Sequence, residues 1–477
     1  MLFNSIDFIV FFPIVVALFF ALPHRLRWML LLAASYYFYM CWKAEYALLI
    51  LASTMVDYYA ALRMQRSEKH KRFYLGLSLV SNLGMLFGFK YFNFFNESAR
   101  ALFDQFNVFY DVPAFDVLLP VGISFYTFQT LSYTIDVYRG KHEAESHFGI
   151  FALYVAFFPQ LVAGPIERPS HLIPQFKKKQ IFDPALAGSG LRLMLYGLFK
   201  KLIVADRLSV YVDTVYAAPD VHSWVTLTVA TVFFAVQIYC DFSGYSDIAI
   251  GASRVMGYDL MINFRRPYFS KSLAEFWRRW HISLSTWFRD YVYISLGGNR
   301  RGYWRHLLNL SAVFLISGLW HGANWTFVVW GAIHGAVLCL SILTRDWRES
   351  LPGYQWLSNH QRIHHTLQII TVFTIVNIAW IFFRASNVTE AATIVSRIFT
   401  LAGDGFFTGD VAALGHALFA VGLLAGLEAF KEWELGRFGF DWLGQFSIVR
   451  SIGCAAAVIL ILLLGVFDGG QFIYFQF

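Results

Sequence analysis

The sequence predicts an all-α protein that crosses a membrane many times. Apolar runs recur from one end of the chain to the other. Charged residues make up 14% of the 477 positions, where a soluble protein of this size holds roughly 25%. The lysines and arginines gather in short loops between the apolar runs. A run of about 20 apolar residues spans the hydrocarbon core as a helix. A membrane β-barrel would instead show alternating segments of about ten residues, and the runs here are continuous.

In chain order the apolar segments fall at 8–21, 28–42, 46–62, 73–92, 117–137, 147–164, 189–205, 223–250, 306–343, 366–384, 412–430 and 451–467. The segment 306–343 is long enough for two, so about twelve transmembrane helices are expected. The opening "MLFNSIDFIVFFPIVVALFFALPHRLRW" has no basic residue ahead of its apolar run and no small-residue cleavage site. It therefore reads as a retained first span and not as a signal peptide. The stretch 389–402 is too short to span and reads as interfacial or re-entrant. Loops at 22–27 (His24, Arg25, Arg27), 63–72 (Arg63, Arg66, Lys69, Lys71, Arg72), 174–179 (Lys177, Lys178, Lys179) and 299–305 (Arg300, Arg301, Arg305) are basic. The excess of positive charge in cytoplasmic loops places these four inside. The loop 403–410 carries Asp404 and Asp410 and goes outside; 431–450, with Lys431, Arg437 and Arg450, returns inside. Both chain ends, with Tyr474 near the second, are then expected on the outer face. No repeat of fixed period and no disordered linker interrupts the chain. The expectation is one membrane domain over 1–477, in which 451–477 is a final helix with an aromatic tail.

The formal charge of +7 does not imply nucleic acid, because the basic residues occupy the loops. Cys41, Cys240, Cys339 and Cys454 lie in or beside apolar stretches and make neither a CxxC pair nor a metal-ligand spacing. No metal site is expected.

The chemistry concentrates in the middle third. Residues 264–300, "FRRPYFSKSLAEFWRRWHISLSTWFRDYVYISLGGNR", are too polar to span yet rich in aromatic rings. They read as an amphipathic helix lying in the cytoplasmic interface. Its positive face, with Arg278, Arg279 and Arg289, is suited to guide an anionic, phosphate-bearing acyl donor toward the membrane. His281 stands apart from these charges, between Trp280 and Ile282. Further on, "LWHGANW" places His321 beside Trp320 deep in the longest apolar region, with Asn324 three residues later. An ionisable side chain at membrane depth is costly and is a functional candidate by default. A neutral imidazole can take a proton from a hydroxyl as it attacks a thioester. The competing reading is a histidine satisfied within helix packing, and this is the favoured one for His334 on the next span. Gln237, Asp241, Ser243 and Asp247 form one polar set in apolar surroundings, and Tyr126, Gln129, Tyr133 and Asp136 another. Buried carboxylates need partners. These sets could line a polar substrate tunnel, together with Trp320 and Asn324, or pair with arginines of 264–300 as scaffold.

Five blocks now carry a resemblance: "PVGISFYTFQTLSYTIDVYRG", "FPQLVAGPIERP", "QIYCDFSGYSDIAIG", "NFRRPYFSKSLAEFWRRWHISLSTWFRDYVYI" and "GLWHGANWTFVVWGAIHG". Together the chain resembles the bacterial membrane-bound O-acyltransferase family, of the type that acetylates alginate, from about residue 1 to 477. The resemblance implies a helical funnel in which two histidines approach a thin partition, His321 matching the active-site histidine and His281 the second. It implies no bound cofactor. The donor would be a cytoplasmic acyl thioester, acetyl-CoA or an acyl carrier protein. The acyl group would cross the membrane without its carrier, to a separate periplasmic acetyltransferase that modifies an exported polysaccharide. A bacterial inner membrane, with its lipid, would be the setting. Within the ending "FDGGQFIYFQF", the stretch "FIYFQF" resembles the aromatic C-terminal motif of the small single-helix partner in teichoic acid D-alanylation. Tyr474 is thereby a candidate acyl acceptor within the chain, the alternative being an aromatic anchor at the outer interface. Transfer of D-alanine or another acyl group to a wall polymer or lipid is a second possibility. A transporter is a third, although the paired halves with broken spans typical of that class do not stand out in the sequence.

Overall fold

A computed structural model describes residues 1–115, 119–432, 447–467 and 472–473. The described residues are helical and contain no strand. They form two compact units, residues 1–194 with 246–261, and residues 195–245 with the described part of 262–476.

The first unit contains α1 (Ile6–Ala21), α2 (His24–Met40), α3 (Ala47–Arg66), α4 (Lys71–Leu86), α5 (Phe92–Gln105), α6 (Ile123–Tyr138), α7 (Phe148–Ala156), α8 (Pro169–Lys177) and most of α9 (Pro184–Leu198). Ser5 starts α1 by accepting from the Phe8 amide, which satisfies one of the donors a helix start leaves open. Polar side chains join α3, α4 and α6. Asp57 is fully buried and accepts from Ser78 Oγ at 2.6 Å and from Asn82 Nδ2 at 2.9 Å. Asn82 Oδ1 in turn accepts from Ser53 Oγ and Thr130 Oγ1. This network gives the buried carboxylate the hydrogen bonds that burial demands.

The predicted span at 147–164 is not a crossing. α7 has nine residues, about 14 Å of helix against a hydrocarbon core of about 30 Å. The chain then turns through "FFPQLVAGPIER" and returns as α8. Gly164 is required in that turn, since a Cβ there would lie 2.3 Å from the Gln160 Cα. The two ends of the segment meet, because Lys177 Nζ pairs with Glu145 Oε2 at 2.6 Å. The ends of α2 and α3 join them: His24 Nε2 lies 3.1 Å from the Lys177 carbonyl, and the Ala144 amide donates to Gln65 Oε1. The two ends of the segment thus lie together, the arrangement that a re-entrant segment requires.

The second unit contains a π-helical turn at Phe199–Ala205, then α10 (Asp206–Ala217) and residues 224–245 of the long α11 (Trp224–Val255). It continues with α12 (Leu273–Arg279), α13 (Ile282–Trp287), α14 (Tyr303–His321) and α15 (Trp325–Leu343). After these come α16 (Arg345–Ser350), α17 (Pro352–Asn359), α18 (Gln361–Arg384), α19 (Val388–Phe399), α20 (Val411–Glu432) and α21 (Ser447–Leu464). At 12 residues, α19 is too short to cross, as its sequence implies. The single interfacial helix predicted over 264–300 is absent. Arg266 and His281 both adopt left-handed backbone, φ 46° and 42°, which breaks the stretch into α12, α13 and a π-helical turn at Phe288–Tyr293. Trp280, His281, Phe276 and Leu284 are buried within the unit.

Among the described residues six helices are long and apolar enough to cross a membrane: Ala44–Arg66, Glu68–Gln105, Trp224–Val255, Trp325–Leu343, Gln361–Arg384 and Val411–Glu432. Ile6–Ala21 and Arg450–Leu464 are shorter apolar helices. The expected count of about twelve exceeds this because several apolar runs become short or interrupted helices. The run 189–205, for example, is divided between α9 and the π-helical turn that holds Lys200 and Lys201.

Candidate active site

His321 is the last residue of α14, and α15 begins four positions later. The tight reversal has two local causes. Gly322 leaves room for Phe327, whose ring would lie 2.1 Å from a Cβ there. Asn324 caps α15, accepting from the Thr326 amide at 3.0 Å, while its Nδ2 donates to the Ser386 carbonyl. The two helices then run closely together. A Cβ on Gly318 would meet the Phe327 carbonyl oxygen at 2.3 Å, and one on Gly331 would meet that of Phe314 at 2.3 Å. Small residues at such crossings let helix backbones approach.

The His321 side chain is 4% exposed and held among rings, with Trp320 and Trp330 each at 4.9 Å between centroids and Phe383 at 5.4 Å. His281 has no exposed surface; Phe242 lies edge-on to it at 4.6 Å and Trp320 at 6.0 Å. The two histidines, forty residues apart in sequence, therefore share Trp320 as a neighbour. His334 lies within a further group of rings, Trp277, Trp330, Phe276 and Phe314, in keeping with a packing role.

A cavity of about 310 Å³ opens beside this aromatic cluster, lined by Trp277, Leu284, Phe288, Arg289, Phe314 and Ser317 among others. Arg278 and Arg289 are exposed, although Arg289 pairs with its neighbour Asp290 at 2.8 Å. Arg279 is held by two carboxylates, Glu275 and Glu432, each at 2.7 Å.

Gln237 and Asp241 are buried on α11. Asp241 does not pair with an arginine of 264–300. Its Oδ1 receives Lys201 Nζ at 2.6 Å, and the same ammonium reaches Asp206 Oδ1 at 2.8 Å. Lys200 donates to Ser243 Oγ at 2.8 Å, and Tyr239 donates to Glu428 Oε1. Lys200, Lys201, Asp206 and Glu428 escaped the sequence reading, although two adjacent lysines within an apolar run are a signal of the kind that marks His321. In the first unit, Gln129 donates to the Tyr154 carbonyl and Tyr133 OH accepts from the Glu145 amide, ties that favour scaffold over tunnel for that set. Tyr474 lies outside the described residues.

Known proteins bear on this constellation. A family model of the membrane-bound O-acyltransferases matches residues 145–385, which contain both histidines. The chain belongs to the membrane-bound O-acyltransferase family. It is 40% identical over 408 residues to a probable alginate O-acetylase AlgI of Azotobacter vinelandii, covering 84% of this chain and 78% of that one. The corresponding Pseudomonas aeruginosa protein is 39% identical over 446 residues, with 92% and 81% covered. A peptidoglycan O-acetyltransferase of Helicobacter pylori is 34% identical, with 78% and 74% covered. The protein is thus a membrane O-acyltransferase, and its reaction needs an acyl donor.

Proposed function

We propose that this acyltransferase takes an acetyl group from a cytoplasmic thioester and relays it to the outer face, for O-acetylation of an exported polysaccharide such as alginate. The observation that carries the reading is the convergence of His321 and His281 on Trp320. It brings the imidazoles of the two most distinctive sequence blocks to one buried place. His321 is the general base. It removes the phenolic proton of Tyr474 as the phenol oxygen attacks the thioester carbonyl. The C–S bond breaks, the proton passes to the leaving thiolate, and an acetyl ester remains on the tyrosine. A phenol ionises near pH 10, more readily than a sugar hydroxyl, so its ester stays reactive. It can pass its acetyl group to a serine of a periplasmic acetyltransferase. His281 orients the donor carbonyl. Arg278 and Arg289 are exposed and suit the phosphates of acetyl-CoA or an acyl carrier, and the cavity at Arg289 suits the apolar part of the thioester arm. Gln237, Asn324 and Trp320 border the path. The setting is a bacterial inner membrane. A wall polymer as acceptor is the second reading, favoured by the peptidoglycan O-acetyltransferase among the relatives.

Purified protein incubated with labelled acetyl thioester tests this. Label should appear on the C-terminal peptide at Tyr474. His321→Ala should lower that loading by about 10²–10⁴-fold while leaving helicity and the melting profile unchanged. Near-normal acylation by a folded His321→Ala protein would refute the base assignment. Polysaccharide acetylation by Tyr474→Phe at the wild-type level would refute the relay.

A further inference from the structure

The C-terminal segment does not merely follow α21; it is held at several points by residues of the second unit. The Leu464 carbonyl accepts from Arg207, and the Val466 amide donates to the Leu202 carbonyl at 3.0 Å. Beyond these, Phe472 is 1% exposed. Tyr245 meets its ring edge-on at 5.0 Å, and Lys201 Nζ stands 4.4 Å from the ring centroid. The next amide, that of Ile473, donates to Asp241 Oδ2 at 2.6 Å. We propose that Lys201 and Asp241 form a latch for the C-terminal tail, and that they act as positioning residues for Tyr474, the residue immediately after the latched pair.

The geometry divides the work between the two groups. Asp241 offers two oxygens, one to Lys201 and one to the Ile473 amide. The lysine is fixed from its other side by Asp206. It also presents positive charge to the face of the Phe472 ring, an attraction strengthened where water is excluded. Asp241 and Tyr245 stand four residues apart on α11 and so lie on one face of it, which lets one helix grip both the backbone and the ring. The latch therefore reads an aromatic side chain at 472 and a backbone amide at 473. Its ligand is an aromatic peptide segment, here supplied by the chain itself. The π-helical turn at Phe199–Ala205 provides the lysine, and Leu202 of the same turn holds Val466.

The positioning role rests on the relay proposed above, whereas the latch itself does not, and hydrogen exchange separates them. The full-length protein in nanodiscs is compared with Phe472→Ala, Phe472→Tyr and Lys201→Met, following the C-terminal peptide that contains Ile473. Phe472→Ala removes no buried charge and should raise exchange of that peptide at least about tenfold, with peptides of α14 and α15 unchanged. Phe472→Tyr, which keeps the ring, should restore protection, and Lys201→Met should lose it. Loading of Tyr474 with acetyl should fall in the same two loosened variants and recover in Phe472→Tyr. Unchanged exchange in Phe472→Ala overturns the latch. Loosened exchange with wild-type loading overturns the positioning role. A wild-type Tyr474 that never carries acetyl overturns the relay, and the exchange result still decides the latch.

Discussion

His281 keeps its backbone at φ 42°, a conformation that costs an ordinary L-residue on the order of 1–2 kcal/mol and that Asn, Asp and His tolerate best. Neighbours hold it there. The Ile282 amide donates to the Asn263 carbonyl, the Ser283 amide to Asn263 Oδ1, and the His281 carbonyl accepts from the Ser285 amide. A strained, fully buried imidazole beside the ring next to His321 is the kind of outlier from which function is inferred. Alanine is a poor probe here, because it removes the imidazole and also fits the left-handed backbone badly. His281→Asn separates the two effects. It should keep expression and the melting temperature near wild type while acyl transfer falls by about 10²-fold, the usual cost of losing one group that orients or stabilises a reacting carbonyl. Wild-type turnover in a folded His281→Asn protein would leave the residue as a turn-former only. Both histidines were legible in the sequence, since an imidazole in an apolar or aromatic run stands out. The partner of Asp241 was not. Nothing in the local pattern records that a lysine forty positions earlier would reach it, and the run holding that lysine reads at first as plain membrane span.

Among the elements, the α14–α15 pair decides where His321 sits. Gly318 and Gly331 face each other across the crossing, the Gly331 Cα lying 3.5 Å from a Cβ built on Gly318. Gly318→Ala would place its methyl 2.3 Å from the Phe327 carbonyl oxygen, a backbone atom that cannot swing away. The helices must then separate, and overpacking of this kind costs about 1–3 kcal/mol. The expected result is a lowered melting temperature together with loss of acyl transfer, since His321 is displaced with the end of α14. Gly426→Ala on α20 is the control: a Cβ there meets nothing within 4 Å, and alanine favours helix over glycine. Its stability should equal or exceed wild type. Equal behaviour of the two variants would show that the close crossing does not set the site. Element boundaries were the least legible feature of the sequence. Apolar content alone marks 147–164 as a span, yet its helix ends at Ala156, and Gly164 with Pro165 and Pro169 just beyond it turns the chain into a second short helix. The aromatic and basic residues of 264–300 look like an interfacial helix until the backbone at Arg266 and His281 is known.

For the whole molecule, the charge pattern and the re-entrant segment make one joint statement about topology. In the first unit, His24, Gln65 and Lys177 at helix ends meet one another or Ala144 and Glu145 of the 139–147 connection, and the lysines and arginines around them predict a cytoplasmic position for that group. In the second unit, the loops 218–223 and 403–410 are joined: Ser223 donates to the Gly405 carbonyl, and Arg397 to the His222 carbonyl. Asp220, Asp404 and Asp410 are the only ionised side chains in those two loops, and they lie outside in the same scheme. Single cysteines in a background lacking Cys41, Cys240, Cys339 and Cys454 test both halves. Lys141, Lys178, Asp220 and Asp404 are all exposed, so replacing each should disturb little. A membrane-impermeant maleimide should label Asp220→Cys and Asp404→Cys in intact spheroplasts, and Lys141→Cys and Lys178→Cys only after the membrane is opened. The decisive pair is Lys141 and Lys178, which flank the segment from 148 to 177. If that segment crossed the bilayer, one of the two would label from outside. Protection of both until permeabilisation fits a chain that enters as α7 and leaves as α8 on the same face. The same result would agree with the charge pattern of the later loops, which predicts 403–410 outside and 431–450 inside.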